Sequence, residues 1–386
     1  MAQRRDEFEQ RVTPLELFFD LVFVFAFTQV TTLLSDDTTW RGLGHGVLVL
    51  TVLWWSWAGY AWLTNTVNAD EGAVRGALLV AMGAMFVAAL AVPEAFGRHG
   101  VAFGVAFMIV QLMHAALFAL AGRGDPGLAS AVLRIIPSST AGASLIIVAG
   151  FVDLGLRPLL WLAALAVGYL GPLFTGVSGW LVQPAHFAER HALILIIALG
   201  ESFVAIGLGA RNTGLGAGVI VAAVLGLAVA TSFWLAYFDF FAIRAEQLLS
   251  ERSGAARTTL ARDAYTYLHL PMVVGIVLFA LAMKQTLAHV GDELGTIPAL
   301  GLCGGCALYL AAYVCVRFRL SRTIGGGRSI AAVALAALFP AALEVPALAA
   351  LALVSGVWAA LHAYEIIWWR EARARTRALR DPAAAS

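Results

Sequence analysis

Residues 14–34 read PLELFFDLVFVFAFTQVTTLL. As a helix this run crosses roughly 30 Å of hydrocarbon. It carries two acids, Glu16 and Asp20, near its start, and the rest is apolar apart from the Thr28-Gln29 and Thr31-Thr32 pairs. The apolar core of a secretory signal is shorter and lacks acids, so the run reads as a retained first membrane helix.

Similar runs recur along the chain. Spans are predicted at 14–34, 42–63, 73–92, 101–121, 128–150, 157–176, 187–209, 215–241, 263–287, 298–316, 328–343 and 345–368. The eleventh is short, contains Pro340 and turns almost directly into the twelfth at Glu344-Val345-Pro346. The composition agrees: 61% of residues are hydrophobic and 13% charged, with mean hydropathy +0.84. That is about half the charge of a soluble domain. The expected fold is therefore all-α, a polytopic integral membrane protein of about twelve transmembrane helices. The net charge of +1 gives no footprint for nucleic acid.

The basic residues are distributed unevenly among the connections. With the N-terminus in the cytoplasm, eighteen of the twenty-five fall on the inner side and five on the outer, with Arg134 and Arg190 inside spans. This asymmetry predicts two cytoplasmic termini and an even number of crossings. Weak internal similarity divides the chain into two six-helix parallel repeats, 14–176 and 187–368, flanked by a cytoplasmic N-terminal segment, 1–13, and a cytoplasmic tail, 369–386. Glu16 and Glu189 each open the first helix of a half. Trp57-Ala58-Gly59-Tyr60 pairs with Trp234-Leu235-Ala236-Tyr237, and Gly83 with Gly275. An even number of helices per half makes the repeat parallel, about an axis along the membrane normal.

Three segments carry a family resemblance. Thr13-Pro14-Leu15-Glu16-Leu17-Phe18-Phe19-Asp20-Leu21-Val22-Phe23-Val24-Phe25-Ala26 resembles the signature opening of the bacterial low-temperature-requirement protein A family. Glu189-Arg190-His191-Ala192-Leu193-Ile194-Leu195-Ile196-Ile197-Ala198-Leu199-Gly200-Glu201-Ser202 and Tyr267-Leu268-His269-Leu270-Pro271 follow in the same order. The resemblance implies a multi-pass protein of the bacterial inner (plasma) membrane, and the family name refers to growth in the cold. A fainter likeness is to two-repeat endolysosomal potassium channels, which have Phe-Ser-Asp in the first helix of each repeat. Here Phe18-Phe19-Asp20 has Phe for Ser, and Ala192-Leu193 in the second half lacks the acid.

Ionisable groups inside a bilayer are costly and must face protein or water. Asp20, Arg134, His269, His114 and His362 all fall roughly 9–11 Å from the inner face at the helical rise. Glu16 stands one turn from Asp20 on the same helix face. Two readings are open for this layer: the wall of a cytoplasm-facing ion or proton pathway, or structural pairs, Asp20 with Arg134 and Arg190 with Asp239. The second pair lies at the inner boundary, where both side chains can snorkel. Glu201 is deeper, roughly 21 Å from the inner face, with Gly200 and Ser202 beside it and Thr28 and Gln29 as partners if helices 1 and 7 cross. A carboxylate that can be neutral or charged there suits proton coupling or cation binding. A protonated Glu bonding a neighbouring helix is the structural alternative.

Other features read as structural. Cys303 and Cys306 form C-x-x-C without His or a second pair, and Gly304-Gly305 between them points to close helix packing. Pro137-Ser138-Ser139-Thr140 and Pro340 predict helix breaks or kinks. Trp54, Trp55, Trp57, Tyr60 and Trp62 read as an interfacial belt with Trp368 and Trp369, or as an aromatic cage. No H-E-x-x-H or G-x-S-x-G motif occurs, so no enzyme, cofactor or metal site is expected. The expected function is a proton- or cation-coupled secondary transporter, with an ion channel or a non-transport membrane factor for cold or stress adaptation as alternatives. The expected partners are the lipid bilayer, a small solute or ion, and a second copy in a homo-oligomer.

Overall fold

The computed structural model describes residues 11–67, 69 and 72–368. Apolar runs of this length become helices because hydrocarbon offers backbone groups no partner outside the segment itself. The helices are α1 (Pro14–Asp36), α2 (Trp40–Thr64), α3 (Gly72–Ala91), α4 (Gly100–Ala121), α5 (Pro126–Ala149), α6 (Arg157–Thr175), α7 (Pro184–Thr213) and α8 (Ala217–Phe238). After them come short α9 (Phe241–Ser250) and α10 (Gly254–Leu260), a π-helical stretch (Ala261–Tyr267), α11 (His269–Ala288) and α12 (Thr296–Ser321). The chain closes with α13 (Gly326–Ala337), α14 (Phe339–Ala342) and α15 (Ala347–Trp368). Among the described residues the only extended pairing is an isolated bridge between Glu293 and Pro346.

Among the described residues eleven stretches are long and apolar enough to span a membrane: α1 to α8, α11 with the turns leading into it, α12 and α15. The eleventh expected span, 328–343, is instead the broken pair α13–α14, interrupted ahead of Pro340. It still traverses the bundle. Arg328 at its start is paired with Glu365 near the end of α15. Just past its end, Ala347 N–H donates to the Asp292 carbonyl at 2.7 Å and Leu348 N–H to that of Val290 at 3.1 Å. Those acceptors lie in the α11–α12 connection, at the opposite end of α12 from Arg328. The described chain thus makes twelve passages, and Pro14 and Trp368 lie on the same face. The segments 1–10 and 369–386, with Arg4, Arg5, Trp369 and the C-terminal arginines, lie outside the described residues.

Neighbour relations are alike in the two halves. In the first, α1 packs on α2 and α3, α3 on α4, α4 on α5, α5 on α6, and α6 returns to α2. In the second, α7 packs on α8 and α11, α11 on α12, α12 on α13, α13 on α15, and α15 returns to α8. The halves meet where α1 lies against α7 and α11.

Small residues set the closest approaches, since helices in lipid gain most from tight contact. A Cβ at Gly305 would stand 2.8 Å from the Gly275 carbonyl oxygen, and one at Gly301 2.6 Å from that of Leu278. The C-x-x-C segment is this contact surface, and Cys303 and Cys306 are free and buried in it. Gly83, expected to match Gly275, meets nothing within 4 Å, so the two glycines do different jobs. The expected break at Pro137 is absent, because α5 runs on through it. Ser138 and Thr140 donate to the carbonyls of Ile135 and Ile136 at 2.9 and 2.8 Å and relieve the local backbone.

Candidate functional site

The first turn of α1 fixes Glu16. Thr13 caps the helix, its hydroxyl accepting from Glu16 N–H at 3.3 Å while the Glu16 carboxylate accepts from Thr13 N–H at 2.8 Å. This is a capping box with proline at the first helical position. Asp20 follows one turn later on the same face. Both face α7, where Pro184 starts the helix early enough to bring His186 and Arg190 opposite them.

Arg190 donates to Asp20 Oδ1 at 2.9 Å and stands 3.4 Å from Glu16 Oε1. Trp57 of α2 donates its indole N–H to the same Asp20 oxygen at 3.0 Å, and the guanidinium lies 5.9 Å from the Trp57 ring centroid. His186 Nε2 lies 3.0 Å from Glu16 Oε1. Glu16, Asp20, His186 and Arg190 are each at most 2% exposed, so the network is sealed inside the protein.

The hydrogen-bond pattern decides the state of His186. Asn65, at the end of α2, accepts from Gln183 N–H at 2.7 Å through Oδ1 and donates through Nδ2 to the Gln183 carbonyl at 3.1 Å. The amide is thereby oriented, and its Nδ2 faces His186 Nδ1 at 3.1 Å. An NH2 group can only donate. Nδ1 therefore accepts, Nε2 carries the hydrogen given to Glu16, and the ring is neutral. The seam holds two carboxylates against one fixed cation. It is neutral only when it also carries one proton or monovalent cation. Asp20 Oδ2 is buried and has no hydrogen-bond partner.

A second polar level lies further along the same seam. Thr28 of α1 donates to Glu201 Oε2 at 2.5 Å, and Glu201 is 2% exposed. Lys284 of α11 is the cation whose charge reaches Glu201, without closing to an ion pair. At the helical rise, Lys284 and Glu201 are roughly 22 and 26 Å from the starts of α11 and α7. Lys284, one of the five basic residues counted on the outer side, thus belongs to the Glu201 level. Between the two levels, Phe23, Phe27, Ile194, Leu195 and Ala198 are buried and apolar.

Several expected partnerships are corrected. Asp20 does not meet Arg134. That arginine donates to Ser130 Oγ at 3.0 Å and to the Ser178 carbonyl, tying α5 to the α6–α7 connection. The face of α5 that carries Arg134 points to the α6–α7 connection rather than to α1. Arg190 is turned to α1 rather than to Asp239, which ends α8 as its C-cap. Gln29 is half-buried and makes no hydrogen bond to Glu201. His269 lies outside the seam. Its Nδ1 donates to the Ala264 carbonyl at 2.9 Å, so its Nε2 accepts from the Tyr237 hydroxyl at 2.9 Å. It clamps the π-helical stretch to α8. The expected belt on α2 is interior: Trp54, Trp57 and Tyr60 are at most 1% exposed, and Trp54 and Trp62 both anchor to Thr266.

His186, Asn65 and Trp57 are network members that the sequence reading missed. The available signal was Pro184. Proline favours the first position of a helix, and starting α7 there adds His186 to the helix.

Sealed charges on helices that cross the bundle twelve times define a multi-pass helical membrane protein with an ionisable seam. The chain belongs to the bacterial low temperature requirement A (LtrA) family, whose model matches residues 11–363. It is also 34% identical over 324 residues to the uncharacterized protein RA0937 of Rhizobium meliloti (strain 1021), covering 80% of this chain and 78% of that protein. No solved structure matches it.

Proposed function

We propose that this protein is a proton- or cation-coupled secondary transporter of a small solute. The observation that carries the reading is the α1–α7 seam, where two buried carboxylates face one arginine and a histidine held neutral. Such a seam must take up one positive charge to be neutral, and a buried site that gains and loses a proton is what coupling requires. Glu201 with Thr28 supplies a second ionisable level near the other end of the same helix pair.

The apolar layer between the levels favours a transporter over a channel. Phe23, Phe27 and Leu195 close the seam, and an open conductive path would need polar lining there. The matching neighbour relations support two parallel six-helix repeats moving about the α1–α7 contact. The basic face, with Arg252, Arg257, Arg319 and Arg322, supports a cytoplasmic position for both termini. No catalytic chemistry is assigned, and a role in cold or stress adaptation would follow from transport.

Reconstitution tests the reading. Proteoliposomes with an imposed pH gradient should show solute-dependent proton movement. Glu201→Gln keeps the shape of the protonated acid, so it should insert and fold normally and lose gradient-driven flux. Full flux in Glu201→Gln and in Asp20→Asn would remove the coupling role.

A further inference from the structure

We infer that the cavity enclosed by α2, α4, α5 and α6 is a binding site for a small planar organic acid. It is an open-mouthed cavity with about 690 Å3 of non-atom space, solvent at its mouth included. The inference gives the transport reading a substrate class and rests on that reading for its biological sense.

The walls are aromatic. Trp55 and Trp62 of α2, Phe118 of α4, and Trp180 and Tyr267 from the connections line it. Flat rings suit a flat apolar body. Gln111 and His114 are set among them. Gln111 of α4 is 5% exposed and lines both this cavity and a smaller void continuing between α5 and α6, and the buried Nε2 of His114 has no hydrogen-bond partner among the described residues. A buried polar atom left unpaired is costly, and a ligand carrying a hydrogen-bonding edge would satisfy it.

The charge of the mouth selects the sign of the ligand. Among the described residues no carboxylate lines the cavity, and Arg262 does. Its partner Asp263, at 2.8 Å, also takes Arg319 at 2.9 Å. Two guanidiniums share one carboxylate, which leaves the rim positive. Anions are attracted and organic cations repelled.

The second half shows that such a space need not exist. Between α8, α12 and α15 the corresponding volume is filled by Phe233, Tyr309 and Trp358. Their ring centroids lie 4.6 and 5.2 Å from Phe233, and each ring is at most 1% exposed. Among the described residues only the first half keeps its volume open, and it does so beside an unpaired imidazole nitrogen.

Equilibrium dialysis of the purified full chain in lipid nanodiscs tests the site, with indole-3-acetate, uncharged indole and cationic tryptamine as probes. Saturable one-to-one binding of indole-3-acetate is expected, with indole at least tenfold weaker and tryptamine not retained. Gln111→Leu should weaken indole-3-acetate binding at least tenfold, and Ser139→Phe, which fills the cavity from α5, should abolish it. Arg262→Gln at the rim should bring indole-3-acetate and indole to equal affinity, and it decides the matter if the interior variants fail to fold. Equal uptake of all three probes by the wild-type chain, or indole-3-acetate binding unchanged in the variants, overturns the site and identifies the void as a lipid or detergent crevice. So does a lack of saturable binding. Dialysis uses no gradient, so the two readings fail separately: coupled flux without binding removes the site, and binding without coupled flux removes the transporter.

Discussion

Arg190 reaches across the α1–α7 seam to Asp20 at 2.9 Å, with both side chains closed to solvent. The pair is shared, because Glu16 lies 3.4 Å from the same guanidinium. Removing the arginine strands two acids, whereas removing Asp20 leaves Arg190 with Glu16. Arg190→Gln should therefore cost about 3–5 kcal/mol, the usual penalty for an orphaned buried charge. Asp20→Asn should cost less, and the double variant less than Arg190→Gln alone. Thermal unfolding in detergent measures all three. A stable Arg190→Gln protein would mean the seam is not held by charge. Arg134→Gln combined with Asp20→Asn should be additive, since those residues have separate partners.

Thr28 is the hydroxyl that Glu201 leans on. Thr28→Val keeps the shape and removes the donor, so it should destabilise the protein by about 1–3 kcal/mol. Thr28→Ser should restore most of the loss. If valine and serine behave alike in unfolding and in flux, the hydrogen bond has no role.

The broken crossing α13–α14 depends on its ends. Arg328 is held by Glu365, donates to the Ala236 carbonyl at 2.7 Å and stacks 4.0 Å from the Tyr313 ring centroid. Arg328→Gln should cost about 3–5 kcal/mol and expose the segment 322–346 to limited proteolysis. An unchanged cleavage pattern would show that α13 is secured by packing alone.

Gly305 and Gly275 allow α11 and α12 to touch backbone to backbone. Gly305→Leu forces them apart and should abolish folded yield, while Gly83→Leu, in open space, should be tolerated. Size-exclusion profiles of the two variants give the comparison.

Reporters fused after Arg5 and after Ala383 should both report the cytoplasm, although both positions lie outside the described residues. Within the described chain, Ser253→Cys should label from inside and Asp292→Cys from outside. Labelling of both from one side would contradict the twelve passages.

The extent to which these features were legible varied with the kind of information each one needed. Helix existence depends on length and apolarity, so residues 14–34 could be read directly. Position along a helix follows from counting, but α7 starts at Pro184 rather than 187, which brings Arg190 level with Asp20 instead of leaving it at the inner boundary. Which way a side chain points around its helix depends on packing between helices. Arg134 was expected to pair with Asp20 and Arg190 with Asp239; the position of α7 against α1 gives Arg190 to Asp20 instead. Trp57 looked interfacial because tryptophans often are; its indole N–H is instead used by a buried acid. The aromatic cavity depends on a volume left empty, which composition does not record.

The sharing of Arg190 by Glu16 and Asp20 also bears on biosynthesis. Asp20 and Arg190 are 170 residues apart in the chain. At roughly 5–20 residues per second, synthesis delivers the arginine roughly 10–30 s after the acids. Through that interval α1 sits at the membrane with two carboxylates and no cation to match them. The first half is therefore an obligate intermediate that must be shielded, by the insertion machinery or by remaining near the aqueous boundary, until α7 arrives. A chain truncated before Pro184 should be recognised as unfinished and degraded, and co-expressing the two halves as separate polypeptides should rescue the first from proteolysis only when the second carries Arg190.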